Sequence, residues 1–221
     1  MKDKKRSIEL IKKIMNNKTK KGFTLLELLI VIAILSILGA IVIFLLNPAE
    51  TLKKARDSQR ISDLSTIKTA LGIYLTSVSS PDIDAYGSCA SNVWYSLNGV
   101  NDASVAGSKT ATSTATAAEL GEVDGTGWIP VNLSGLVGGS PISSFPIDPT
   151  NTITSLTAIA NTDLVYRYAC SSTPMGFEID AALESDAFTS ENDKRAKDGG
   201  NHTTLYEVGT SLTILPSSLD F

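Results

Sequence analysis

The chain has 221 residues, a formal net charge of −4, one histidine and two cysteines, and its charge is unevenly divided. Residues 1–22 hold nine Lys or Arg against Asp3 and Glu9, whereas residues 47–221 hold ten basic and twenty acidic residues. The acidic bulk argues against nucleic-acid binding beyond a local patch at a tip, because phosphate contacts need clustered Lys or Arg. His202, alone in a Gly-Gly-Asn-His-Thr context, completes neither a Ser-His-Asp nor a zinc arrangement. A Gly-rich phosphate loop is also missing, so the chain is read as neither an enzyme nor an ATPase.

The first predicted element follows Lys20-Lys21-Gly22-Phe23-Thr24-Leu25-Leu26-Glu27. From Leu28 to Leu46 there are nineteen consecutive uncharged residues. At about 1.5 Å per residue they match a bilayer core of about 30 Å. The lysine-rich head places the N-terminus in the cytoplasm and the acidic bulk outside. A secretory signal is cut after its apolar run, but Leu46-Asn47-Pro48-Ala49-Glu50 is a poor small-x-small site. The better junction lies ahead of the run, between Gly22 and Phe23. Glu27 is the exception within the oily stretch: an ionised carboxylate near a helix centre costs about 2.5 to 3.5 kcal/mol on insertion scales and usually marks a contact with a partner.

Lys-Lys-Gly-Phe-Thr-Leu-Leu-Glu-Leu-Leu-Ile-Val-Ile-Ala-Ile-Leu resembles the class III signal of type IV pilins and pseudopilins, over about Lys20 to Leu75. The resemblance implies a membrane aspartyl peptidase that cuts after Gly22 and N-methylates Phe23, with Lys20 and Lys21 as part of the processing signal. It implies that Glu27 is the assembly carboxylate, paired with a Phe23 amine, its own or a neighbour's, when subunits stack. The plainer alternative puts Glu27 at the headgroup boundary of an ordinary anchor. Gly39 and Pro48 interrupt the apolar helix, either as a loosened stretch that lets subunits pack or as a Pro-kinked membrane exit.

After Pro48, Leu52, Ile61, Leu64, Ile67, Leu71, Tyr74, Leu75 and Val78 recur at helical spacing, with Lys53, Lys54, Arg56, Asp57, Arg60, Asp63 and Lys68 filling much of the rest. This predicts a helix to about Val78, ended by Ser79-Ser80-Pro81, with its charges on a solvated face and intersubunit salt bridges as the alternative. The Ser/Thr/Ala tract Ala103 to Ala118 reads as an exposed loop. Trp128 to Val137 reads as a short packed segment. Phe145-Pro146-Ile147-Asp148-Pro149 resembles the Pro-x-Asp-Pro element ahead of the sheet in many pilins and pseudopilins.

Strands are predicted at Leu164 to Cys170, Gly176 to Leu183 and Thr204 to Val208, with Tyr166 and Tyr168 as packing residues. In the second, Phe177, Ile179, Ala181 and Leu183 face the helix, while Glu178, Asp180 and Ala182 meet water or a neighbour. The expected fold class is α+β and pilin-like: a long N-terminal helix on a small antiparallel sheet. Its parts are a leader 1–22, an apolar assembly helix 23–46, an amphipathic continuation 47–80 and an extracytoplasmic head 81–221.

Cys89 and Cys170 are expected to form a disulfide in an extracytoplasmic head, with two free buried thiols as the alternative. Glu184, Asp186, Glu191, Asn192, Asp193, Asp198, Gly199 and Gly200 crowd oxygen donors beside glycines without EF-hand spacing. A solvated acidic loop is the first reading there. The calcium site that type II secretion pseudopilins carry in C-terminal loops makes Ca²⁺ at Asp193 and Asp198 the second.

The functional expectation is a structural subunit of a type IV pilus-like filament, a homo-oligomer. It is held by cytoplasmic membrane lipid before assembly, served by prepilin peptidase, an assembly platform and its ATPase, and displayed at the cell surface afterwards. The alternatives are a pseudopilin of a type II secretion or competence system, or a membrane-anchored binding ectodomain that never polymerises.

Overall fold

A computed structural model describes residues 22–84, 89–100, 110–112 and 115–217. Residues 1–21 of the leader, Lys20 and Lys21 among them, lie outside the described residues, as does most of the Ser/Thr/Ala tract. The chain divides into two units, Met1–Asn47 and Pro48–Phe221.

The first unit contains α1 (Leu25–Leu46), whose one ionisable side chain is Glu27. Its 22 residues rise about 33 Å, enough to cross a bilayer, and none of them is buried. A helix apolar on every side has no core-facing stripe to bury, which is the pattern of a span in lipid. Ser36 returns its hydroxyl to the Ile32 carbonyl at 2.7 Å, so its polarity is absorbed within the helix. Gly39 does not interrupt α1, which is continuous to Leu46. The break comes at Asn47, in the left-handed region at φ 39° and ψ 73°. The next residue is Pro48, whose ring disfavours the right-handed helical conformation for the residue before it, and asparagine tolerates the left-handed one.

The second unit opens with α2 (Pro48–Ser77), followed by β1 (Asn92–Tyr95), β2 (Thr110–Thr112), β3 (Tyr166–Ser172), β4 (Met175–Ala182) and β5 (Leu205–Gly209). The sheet order is β2-β1-β3-β4-β5. β1, β3, β4 and β5 are antiparallel, and β2 adds to β1 in parallel. The three predicted strands correspond to β3, β4 and β5. Two short strands differ from expectation: β1 has four residues, and β2 lies inside the tract read as loop, where pairing with β1 overrides weak local preference.

One face of the sheet meets α2. Leu64, Ile67, Leu71 and Tyr74 pack with Trp94, Tyr166, Tyr168, Phe177, Ile179 and Ala181. The segment around Trp128 closes the same core, with Ile129, Val131 and Leu133 fully buried and Trp128 Nε1 donating to the Pro146 carbonyl at 2.9 Å. Tyr166 and Tyr168 are packing residues whose hydroxyls donate to Asp63 at 2.8 Å and to the Ile83 carbonyl at 2.9 Å. The other face is also covered, by a second cluster that includes Ile159, Val165, Leu205 and Leu215. Glu178 and Asp180 therefore do not meet water: both are fully buried. Strand alternation correctly separates the faces, but it carries no information about loops that return over the second one.

Cys89 and Cys170 are joined, clipping the segment before β1 to β3 across a sequence separation of 81. A loop of that length corresponds to about 4 to 5 kcal/mol of chain entropy removed from the unfolded state. Dithiothreitol, or Cys89→Ser, is expected to lower the urea midpoint of the detergent-solubilised protein by an amount equivalent to about 2 to 5 kcal/mol. An unchanged midpoint would show that the link contributes nothing.

Candidate functional site

Two groupings bear on function, one in each unit. In the first, Gly22 and Phe23 precede the helix and are exposed, and a Cβ built on Gly22 meets nothing within 4 Å. Thr24 has extended dihedrals, φ −77° and ψ 150°, and its Oγ1 accepts the Glu27 N–H at 3.1 Å. The Thr24 carbonyl accepts the Leu28 N–H at 3.2 Å, which closes the first turn. Thr24 and Glu27 thus hold the positions of a Thr-x-x-Glu capping box, and the carboxylate occupies the turn where a helix dipole favours negative charge. This spacing is visible in the sequence. It gives Glu27 a local role at the helix start in addition to any contact with another subunit.

In the second unit, α2 is fixed to the head by buried charge. Arg60 is fully buried, and its Nε and Nη2 donate to the two carboxylate oxygens of Asp148 at 2.6 and 3.0 Å. Nη1 donates to Asp57 at 2.8 Å and to Glu184 at 2.7 Å, and Nη2 also reaches the Thr150 hydroxyl at 2.9 Å. Asp57, equally buried, accepts the Ser185 N–H at 2.8 Å and the Ser185 hydroxyl at 2.6 Å. Arg56 holds Glu184 in a two-pronged pair, both prongs at 2.6 Å. Asp148, from the Pro-x-Asp-Pro element, is fixed in turn by the Thr150 and Asn151 N–H groups at 2.8 and 3.1 Å.

The expectation that the α2 charges form a solvated face is corrected here for Asp57 and Arg60. They fall in the buried series Asp57, Arg60, Leu64, Ile67, Leu71, Tyr74, so the helical period includes them although their residue types hide it. Hydrogen bonding from Arg56 first, and then from Arg60, outweighs partial burial and holds the Glu184 carboxyl down at about 2. Burial alone would lower the Arg60 pKa, but bonds to Asp148, Glu184 and Asp57 raise it. The guanidinium stays charged at any physiological pH.

The remaining sites named from sequence have separate surroundings. Asp193 is engaged by Arg195, whose Nε and Nη2 each donate to it at 2.9 Å. Asp198 accepts the Gly200 and Glu207 N–H groups, both at 2.9 Å. His202 is buried, and its Nδ1 accepts the Leu205 N–H at 3.2 Å, a loop-closing bond. Among the described residues, two clusters place three candidate ligand atoms within 4.8 Å of one another: Asp84 with Cys89 and Cys170, and Glu178 with Asp180 and Glu207. The first is spent on the disulfide. The second was not foreseen, because its members come from two strands and from a face expected to meet solvent.

The family model for the prokaryotic N-terminal methylation motif matches residues 17–43, from within the basic leader through most of α1. This is the class III signal peptide of type IV pilins and pseudopilins, and with the apolar helix it contains it fits a membrane-anchored pilin-like precursor. Comparison with curated proteins and with solved structures gives no match.

Proposed function

We propose that this precursor matures into a structural subunit of a type IV pilus-like surface filament. A membrane peptidase cuts between Gly22 and Phe23 and methylates Phe23, and an assembly platform driven by its ATPase then draws α1 out of the membrane into a helical homopolymer. The observation that carries this reading is the motif match across residues 17–43, which spans the Gly22–Phe23 junction and the single ionisable residue of α1. Lipid supplies no hydrophobic drive for helices to associate, so cohesion in the membrane depends on packing and polar pairing. In the polymer the exposed apolar sides of α1 gain protein neighbours, and Glu27 gains the amine that cleavage creates.

Mass spectrometry of the native protein tests the proposal. The expected N-terminus is methylated Phe23; an intact Met1, or a cut beyond Leu46, would replace the filament reading with a simple anchor or a released ectodomain. Electron microscopy of sheared cells then distinguishes long surface fibres from the short assemblies of a pseudopilin.

A further inference from the structure

The second face of the sheet carries a polar row that runs across four strands. In register, Tyr95 of β1 stands opposite Arg167 of β3, Arg167 opposite Asp180 of β4, and Asp180 opposite Glu207 of β5. Glu178 lies two residues from Asp180 on the same face. Arg167, Glu178, Asp180 and Glu207 are at most 1% exposed. Arg167 gives its Nη1 to the Val165 carbonyl at 3.0 Å and its Nη2 to the Ala160 carbonyl at 2.7 Å.

The three carboxylates are held in a particular way. Glu178 Oε2 accepts the Ile214 and Leu215 N–H groups at 2.7 and 3.0 Å, while Oε1 has no hydrogen-bond partner. Glu207 Oε2 accepts the His202 N–H at 2.7 Å, while Oε1 has none. Neither oxygen of Asp180 has one. One oxygen of each glutamate is thus fixed by main chain, and the other, like both from Asp180, is buried without a hydrogen-bond partner. The candidate ligand atoms of the three lie within 4.8 Å of one another. Oxygens bound to one Ca²⁺ at 2.3–2.6 Å lie no more than about 5 Å apart, so the spacing fits a single ion.

We infer that Glu178, Asp180 and Glu207 form a buried binding site for one calcium ion. Charge supports it: three carboxylates against Arg167 leave two negative charges in the row, which a divalent cation cancels and which burial without a partner would make very costly. The donor set is all oxygen, which suits Ca²⁺ over zinc or copper. The loop over the site is shaped to it. Gly200 packs where a Cβ would collide with the Glu207 carboxylate, and the next residue, Asn201, has a buried Oδ1 without a hydrogen-bond partner. Asp198 supports the site indirectly, by accepting the Glu207 N–H. The ion is thereby assigned to the strands, and the half-buried Asp193–Arg195 pair takes no part.

The test uses full-length protein in detergent, purified without chelator and desalted into calcium-free buffer. Elemental analysis is expected to find about one calcium per chain, and EGTA to lower the melting temperature by about 5 to 10 °C, with recovery in excess CaCl2. Asp180→Asn should abolish both the bound calcium and the EGTA response, and Asp193→Asn should keep both. Wild-type protein with no calcium above background, and a melting temperature indifferent to millimolar CaCl2, would overturn the assignment and leave protons as the neutralising charge. Loss of calcium in Asp193→Asn with retention in Asp180→Asn would overturn it in favour of the loop. If Asp180→Asn does not fold, the wild-type measurements decide.

Discussion

Glu27→Val is expected to leave the precursor inserted in the membrane, cleaved and folded while removing it from filaments. The Thr24 cap uses the main-chain N–H of residue 27, so the start of α1 survives the loss of the carboxylate. Insertion should become no harder, because a carboxylate in the first turn of α1 is replaced by an apolar side chain. On the proposed function, assembly loses the pairing with the Phe23 amine, whose unperturbed pKa of about 7.7 to 8.0 keeps it largely protonated near neutrality. Unit charges about 4 Å apart at an effective dielectric of 20 attract by about 4 kcal/mol, so each addition step is weakened by orders of magnitude. Carbonate extraction of membranes and immunoblots of the sheared fraction measure the two halves. Wild-type filament yield from the variant would show that Glu27 serves only as the capping-box residue of its own helix.

Arg60→Met should be the most damaging single change in the head. It removes the guanidinium shared by Asp57, Asp148 and Glu184, and leaves two of those carboxylates fully buried or nearly so. Breaking a buried pair from one side costs about 3 to 5 kcal/mol, which corresponds to a loss of about 6 to 20 °C in melting temperature for a unit of this size. Main-chain donors to Asp57 and Asp148 soften the loss without replacing the charge. A fall of only a degree or two would mean that the network is no stronger than a surface pair.

The same network predicts sensitivity to acid. The folded pKa of Glu184, at about 2, is depressed below the unfolded glutamate value of about 4.3, so its contribution is complete above pH 5 and is lost as the pH falls from about 4 through 2. Arg56 and Arg60 face Glu184 as cations, with Asp57 beside them. In Arg56→Gln the acid transition should flatten, as read by circular dichroism against pH.

The N-terminal motif was legible because each of its parts is local in sequence: a glycine, a glutamate five residues later and an apolar run; the Thr24 cap is equally local but was not read. The helix stripe was legible at Leu64, Ile67, Leu71 and Tyr74. It was misread at Asp57 and Arg60, because charged residues on a helix are ordinarily solvated and their partners Asp148 and Glu184 lie 88 and 124 residues from Arg60. The row Arg167, Asp180, Glu207 was hidden for a related reason. Alternation puts those residues on one face, but only the fold shows that residues such as Ile159 and Leu215 cover it. β2 was hidden because three Thr and Ala residues become a strand only beside β1.

The Cys89–Cys170 link has a consequence for proteolysis. A backbone cut anywhere between the two cysteines leaves both fragments on one covalent thread, so the piece that carries α2 and the piece that carries β4 and β5 come apart only once the link is also reduced.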